Sequence, residues 1–213
     1  MSKLRMQISV SLDGYVAGPQ QSAEHPLGIG GMGLHEWLLP LAAWRAQHGL
    51  EGGLVNESSA LLERSLERIG ATIMGRNMFG GHPGPWAKEQ PWNGWWGVEP
   101  PFHHPVFVLT HHARPQLALE GGTSFHFVTS GIHDALARAR AAAGELDVAL
   151  AGGAQAARQY LAAGLVDELQ LHLVPILLGS GERLFDGSLA PQHGLRHVRT
   201  LTGEGVVHVL LAR

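Results

Sequence analysis

The sequence predicts an α/β fold, built as a mixed and mostly parallel sheet with an antiparallel edge near the C-terminus. Three observations carry this. Apolar strand-like runs alternate with helix-like periods from residue 57 to residue 174, the pattern of parallel strands joined by crossover helices. Two of those strands run directly into glycine and then into a helix start, in Ala71-Thr72-Ile73-Met74-Gly75-Arg76-Asn77 and in Asp147-Val148-Ala149-Leu150-Ala151-Gly152-Gly153-Ala154-Gln155. The closing strands, residues 168–174 and 206–211, follow one another without a helix between them, which predicts the antiparallel edge.

The elements follow in order. Residues 4–12 form a first strand that stops at the turn signal Asp13-Gly14. Residues 17–33 are rich in Gly, Pro and Gln and predict a loop. Residues 35–47 place Trp37, Leu38, Leu41 and Trp44 at helical spacing. Residues 57–68 predict a second helix, with Leu61, Leu62 and Leu66 opposite Glu63, Arg64 and Glu67. The strand at 71–74 follows. Residues 80–104 hold Trp86, Trp92, Trp95 and Trp96 with five Pro and five Gly, an irregular stretch too long for a simple connection. It reads either as a lid that stacks on a ligand or as an apolar plug that extends the core or a subunit contact. Strands at 105–110 and 124–129, a helix at 132–143, the strand at 147–151 and a helix at 154–163 lead to the closing strands. No repeat and no linker interrupts the 213 residues, so one domain is expected.

Composition narrows the function classes. Hydrophobic residues make up 45% and charged residues 15%, the profile of a globular chain. The net charge of −3 comes without a basic stripe, against a nucleic-acid partner. With no cysteine there is no thiolate chemistry, thiolate metal site or disulfide. No apolar run reaches the roughly 18–20 residues of a membrane helix, and the N-terminus leads into a strand, not a signal segment. A cytoplasmic location and no membrane partner are the expectations.

Three strand ends carry the candidate chemistry. At Gly75-Arg76 a glycine admits a ligand to the backbone, and a cation stands beside a helix start. At Gly152-Gly153-Ala154 small residues precede a helix whose free N–H groups suit a pyrophosphate. At Thr110-His111-His112-Ala113-Arg114 a strand ends in a hydroxyl, imidazoles and an arginine, with Thr110, His111 and Arg114 suited to a ribose 2′-phosphate. His112 reads as solvated loop.

Other patterns lack their context. Gly28-Ile29-Gly30-Gly31-Met32-Gly33 spells a dinucleotide fingerprint, but no strand precedes it. The 14 histidines include no metal-binding spacing, so no metal is expected. Ser180 in Leu178-Gly179-Ser180-Gly181-Glu182 misses the nucleophile-elbow pattern by one residue.

Taken together, these residues resemble a family. Thr72-Ile73-Met74-Gly75-Arg76-Asn77-Met78-Phe79, Val108-Leu109-Thr110 and Leu150-Ala151-Gly152-Gly153 with Tyr160-Leu161 are similar to the cofactor elements of dihydrofolate reductases. Ser11-Leu12-Asp13-Gly14-Tyr15-Val16-Ala17-Gly18, Leu165-Val166-Asp167-Glu168-Leu169 and Pro175-Ile176-Leu177-Leu178-Gly179 resemble still more the reductase domain of bacterial riboflavin biosynthesis and its stand-alone relatives. Only residues 19–56 and 80–104 fall outside the pattern. The resemblance implies a three-layer α/β/α dihydrofolate reductase-like sandwich, NADPH as cofactor and, from family habit, a homodimer. By position it implies cofactor contacts from Gly75, Arg76, Asn77, Thr110, His111, Leu150, Gly152, Gly153, Ala154 and Gln155, with Val10 and Val16 near the nicotinamide.

The departures bear on the substrate. Where dihydrofolate reductases carry an acid on the helix before the Gly-Arg strand, ungapped counting finds Ser59, and Glu57 two residues away is the candidate catalytic acid. Where riboflavin reductases place an acid before the Ala-Gly turn stands Leu150. The expectation is therefore hydride transfer from NADPH to a small planar heterocycle, pteridine- or pyrimidine-like, with the proton from Glu57, Glu36 or water. The alternatives are a non-catalytic NADPH-binding sensor or interaction protein of the same fold, and a flavin-binding oxidoreductase.

Overall fold

A computed structural model describes residues 2–22, 24–81, 84–89, 91–187 and 194–213. The strands are β1 (Leu4–Ser11), β2 (Tyr15–Ala17), β3 (Ile69–Gly75), β4 (Pro105–Leu109), β5 (Leu117–Ala118), β6 (Ser124–Val128), β7 (Asp147–Gly152), β8 (Glu168–Val174), β9 (Glu182–Arg183), β10 (Arg196–Gly203) and β11 (Val206–Ala212). The helices are α1 (Ala42–Gln47), α2 (Glu57–Leu66), α3 (Arg76–Phe79), α4 (Ile132–Ala143) and α5 (Ala154–Ala162). Nine strands form one sheet in the order β10-β11-β8-β1-β7-β3-β4-β6-β5, and β2 and β9 make a separate ribbon. The central pairs are parallel, while β8–β11, β11–β10 and β5–β6 are antiparallel. The expected mixed α/β sheet and its antiparallel C-terminal edge are both present.

Side-chain alternation divides the two faces of the sheet. Leu4, Met6 and Val10 of β1, Ala71 and Ile73 of β3, Val148 and Leu150 of β7 and Leu169 of β8 join α4 and α5 in the main core. Ala135, Leu136, Ala139 and Ala143 form the buried stripe of α4, where three alanines let the helix lie close to the strands. The opposite face is covered by α2 and the segment that leads to α1, through Leu34, Trp37, Leu41, Leu62, Val174 and Val206. A third cluster settles the bulk of the Trp-rich segment: Trp86, Trp92, Trp96 and Phe102 pack on Met74, Phe79, Val106 and Phe125.

Four local departures have physical causes. The helix expected at 35–47 begins only at Ala42, because Pro40 lacks an N–H and biases Leu39 away from helical dihedrals. The Gly-rich run 28–33 is a loop ending in a 3-10 turn at Gly31–Leu34, not a phosphate-binding junction. Strand β10 was not foreseen: only Leu201 of its eight residues is buried, so it lacks the apolar alternation of a half-buried strand. β8 is flanked by β1 and β11, and β10 forms the outer strand of this side of the sheet.

Candidate active site

The carboxyl ends of β7, β3 and β4 stand side by side, with Met74 paired to Gly152 and Gly75 paired to Leu109. They open on a cleft of about 980 Å³ that continues between α2 and the sheet face below it. Gly152 has φ 118°, a conformation that a side chain rarely adopts. Its neighbour Gly153 has φ −71°, and a Cβ there would meet no atom within 4 Å. Gly75 has φ −79°, and its Cβ would make only ordinary contacts of 3.4–3.6 Å with Ala156, Gly153 and Gly152. Neither backbone nor packing therefore requires glycine at 75, and no non-neighbouring atom fills the space beside 153. What these two positions keep open is a cradle on the cleft, and no side chain caps the start of α5 beside it.

Arg76 stacks on the Trp86 ring with its guanidinium carbon 3.5 Å from the centroid, and it donates to the Gly80 carbonyl. The Arg114 guanidinium lies 5.1 Å from the same ring and 5.0 Å from Phe127, and donates to the Trp92 carbonyl and to Asn93 Oδ1. Burial, with the Arg114 charge second, pulls the Arg76 pKa down. Two cations around one indole form a corner that an anion would neutralise. The aromatic segment is fastened there by three indole N–H donors: Trp86 to the His112 carbonyl at 2.8 Å, Trp92 to Phe79 at 2.8 Å and Trp95 to Met78 at 3.1 Å.

The residues singled out in the sequence divide as follows. Gly75, Arg76, Asn77, Thr110, His111, Gly152, Gly153, Ala154, Gln155 and Val16 all line the cleft. Thr110 lines it with its hydroxyl already engaged, since Oγ1 accepts from the His112 N–H at 3.2 Å. Leu150 borders the cleft from the core, 1% exposed. Two assignments are corrected. Val10 is 3% exposed, packs in the main core and is not among the cleft-lining residues, which β1 supplies from Arg5 to Ser9. Glu57 is outside the cleft, its carboxylate 68% exposed and 3.5 Å from Arg199 on β10. On α2, Ser58, Leu62 and Ser65 share the sheet-facing stripe at i, i+4 and i+7, and Glu57 projects away from it.

The inner half of the cleft was missed by sequence reasoning. Its floor is Gln7 and Ser9 of β1, Gln170 and His172 of β8, and Thr72 of β3 with His104. Gln7 is paired in register with Gln170, and Ser9 with His172. Ser65 donates to Gln7 Oε1 at 3.0 Å, and Thr72 Oγ1 lies 2.7 Å from His104 Nε2. Gln170 Oε1 and His35 Nδ1 are buried without a hydrogen-bond partner among the described residues. Burial lowers the His172 pKa to about 3 and the His104 pKa to about 4, so both imidazoles are neutral at physiological pH. A signal for this floor was present: central strands covered on both faces should be apolar throughout, yet β1 carries Arg5, Gln7, Ser9 and Ser11, and β8 carries Glu168, Gln170 and His172.

With this geometry in hand, comparison with solved structures finds the same fold. A protein from Shewanella sp. PV-4, named as a putative riboflavin biosynthesis protein, superposes with a TM-score of 0.57 at 21% identity, covering 100% of this chain and 99% of that one. RibD of Acinetobacter baumannii gives 0.57 at 14% identity, covering 100% of this chain and 58% of that one. The Thermotoga maritima diaminohydroxyphosphoribosylaminopyrimidine deaminase / 5-amino-6-(5-phosphoribosylamino)uracil reductase gives 0.55 at 11%, covering 99% and 56%. The chain thus spans a little over half the length of the last two. A search of curated proteins gives no match. The sequence profile of the RibD C-terminal domain matches residues 2–208, nearly the whole chain, and the chain belongs to the RibD C-terminal domain family.

Proposed function

We propose that this protein is an NADPH-dependent reductase that transfers a hydride to a small planar heterocycle of the pyrimidine or pteridine type. The observation that carries the reading is the Gly75–Gly153 cradle, open space at two adjacent strand ends beside the uncapped start of α5. Gly75, Gly152, Gly153 and the uncapped start of α5 would hold the pyrophosphate. Arg76, Arg114 and His111 would hold the 2′-phosphate, which favours NADPH over NADH. When bound, the nicotinamide supplies the hydride.

The inner cleft supports a heterocycle as substrate. The Gln7 amide and the unpartnered Gln170 Oε1, neighbours across β1 and β8, offer a donor and an acceptor to a lactam-like edge. Leu62, Leu66 and Trp44 supply the apolar cover. The name of the T. maritima protein, a deaminase and uracil-derivative reductase, agrees with such an edge.

Tryptophan-fluorescence titration with NADPH and NADH, on the wild type and Arg76→Ala, tests the cofactor half. NADPH oxidation with 5-amino-6-(5-phosphoribosylamino)uracil and a panel of dihydropteridines tests the substrate half. Equal affinity for both cofactors, unchanged by the substitution, refutes the cofactor assignment; tight NADPH binding without turnover of any substrate favours the non-catalytic sensor. A homodimer belongs to the same reading, with exposed Leu12 and Leu177 as candidate contacts. Sedimentation velocity at the monomer mass would remove it.

A further inference from the structure

Reduction of a C=N or C=O bond needs a hydride at carbon and a proton at nitrogen or oxygen. With Glu57 outside the cleft, the proton needs another source. The inner floor contains one. His172 lines the cleft, and its Nδ1 lies 2.8 Å from Nδ1 of His208 on β11. His208 Nε2 lies 2.9 Å from Ser58 Oγ at the start of α2. Ser58 in turn lines a second recess of about 320 Å³, bordered by Glu36, Asn56 and Glu204 on the far side of Trp37. A continuous file of exchangeable protons therefore joins two separate cavities. The three residues are buried, at 5% exposure or less.

The file is built for close contact. Trp37 packs on both imidazoles, 4.8 Å from His172 and 5.1 Å from His208, while its indole N–H is engaged with Ser9 Oγ and the Leu34 carbonyl. A Cβ on Gly203 of β10 would fall 2.2 Å from Ser58 Oγ and 3.2 Å from His208 Nε2, so only glycine lets β10 close over this end. Ser9, His35, His208 and Trp37 are the groups that face His172 from β1, the 31–41 segment and β11. Its Nε2 has no protein partner among the described residues.

We propose that His172 donates the proton to the reacting heteroatom from Nε2, and that His208 and Ser58 form the chain that replaces it from the second recess. This rests on the reductase reading above. Hydride adds to the substrate carbon, the π pair moves to the heteroatom, and the heteroatom takes the His172 Nε2 proton. His208 Nδ1–H passes to His172 Nδ1, Ser58 O–H passes to His208 Nε2, and a water of the recess reprotonates Ser58. After product leaves, cleft water protonates Nε2 and the chain shifts back, so the proton lent by the recess during the reaction is returned to it and each turnover consumes one solvent proton, taken up at the cleft. Neutral imidazole is a competent donor of this kind, and burial keeps all three imidazoles of the cluster, His35 included, in that form. His172 is the catalytic residue; His208 and Ser58 act through it.

Two measurements decide the matter. In the first, long-range nitrogen–proton NMR of the whole labelled protein reads the His172 tautomer, with no substrate needed. Nε2–H is expected in the wild type, with a mixed or reversed tautomer in S58A and H208Q. An unchanged tautomer in both variants overturns the chain. In the second, NADPH oxidation with 5-amino-6-(5-phosphoribosylamino)uracil is followed in water and deuterium oxide. H172Q is expected to lower kcat about 100-fold, and S58A about tenfold with a larger solvent isotope effect, while KM for NADPH stays within roughly twofold. Wild-type kcat in S58A and H172Q overturns the proposal. A wild type inactive on that substrate counts against the reductase reading, and the NMR result then decides the chain alone.

Discussion

Gly75→Ala separates a glycine kept for the ligand from one kept for the fold. At φ −79° and ψ 159° the backbone accepts any residue, and the added methyl would stand 3.4 Å from Ala156 Cβ, 3.5 Å from Gly153 N and 3.6 Å from Gly152 O. Nothing needs to move far. Loss of unfolded-state freedom should stabilise the ligand-free protein by about 0.4–1 kcal/mol, less any cost of the closest contact. For a chain of this length that is a melting temperature between unchanged and about 4 °C higher. The same methyl fills the space between two strand ends where, in the proposed binding mode, a pyrophosphate would approach the backbone. Displacing the ligand by even part of a methyl radius breaks charge-assisted hydrogen bonds worth about 1.5–3 kcal/mol each. NADPH affinity should fall by about tenfold or more. A thermal scan without ligand and a fluorescence titration with NADPH give the two numbers on one sample. Full NADPH affinity in Gly75→Ala would refute the cradle. A melting temperature more than about 5 °C below wild type would show that the fold itself needs this glycine, and the inference from it would collapse.

Other expectations follow from the same geometry. Arg76→Ala should weaken NADPH by about tenfold or more and NADH by much less, as paired titrations will read. Stability should fall with acid in a specific window. His172 titrates near 6.5 when unfolded and at about 3 when folded, so its contribution is complete above pH 6.5 and is lost as the pH drops toward 3. Unfolding free energies from urea titrations across that range should fall at up to about 1.4 kcal/mol per pH unit from this group, and the slope should lessen by about one proton in His172→Gln; an identical slope in the variant would refute the assignment. Asn56→Ala removes the cap that accepts from Ser59 N at 2.9 Å, and should cost about 1 kcal/mol, or roughly 2–4 °C of melting temperature, without altering NADPH affinity.

The half of the cleft at the strand ends was legible because its signals are local. A strand, a glycine and a helix start sit next to one another in sequence at 71–79 and 147–155, and the parallel sheet brings their ends together without further information. The inner half was not, because it is assembled from single side chains on β1, β3, β8 and β11 that meet only through strand order. His172 and His208 are 36 positions apart and face each other because β8 and β11 pair antiparallel in that register. Counting along one helix led to Glu57; what decides is which stripe of α2 meets the sheet, and that depends on how Trp37 and Leu41 pack between them. Val10 failed for a related reason. Its neighbours in sequence are right for a strand, but only the pairing of β1 with both β7 and β8 fixes which face is core.

The Trp-rich segment links the two halves in a way that neither expected role anticipated. It is core for Trp86, Trp92 and Phe102, and cleft wall for Trp95, Trp96 and Phe102, so plug and rim are one structure. Its three indole donors engage carbonyls of Met78, Phe79 and His112, each within a few residues of Arg76 or His111. Arg76 in turn lies flat on Trp86. A guanidinium on a long flexible stem loses considerable rotamer entropy when it is held for an anion. Stacking on a ring that is itself anchored at both ends means that part of this loss is incurred on folding, before any ligand arrives. The aromatic content of residues 80–104 is therefore explained by the cation beside it: a loop of this length could reach the site with any composition, but only an aromatic one can pack into Phe79 and Phe125 on one side and present a face to Arg76 on the other.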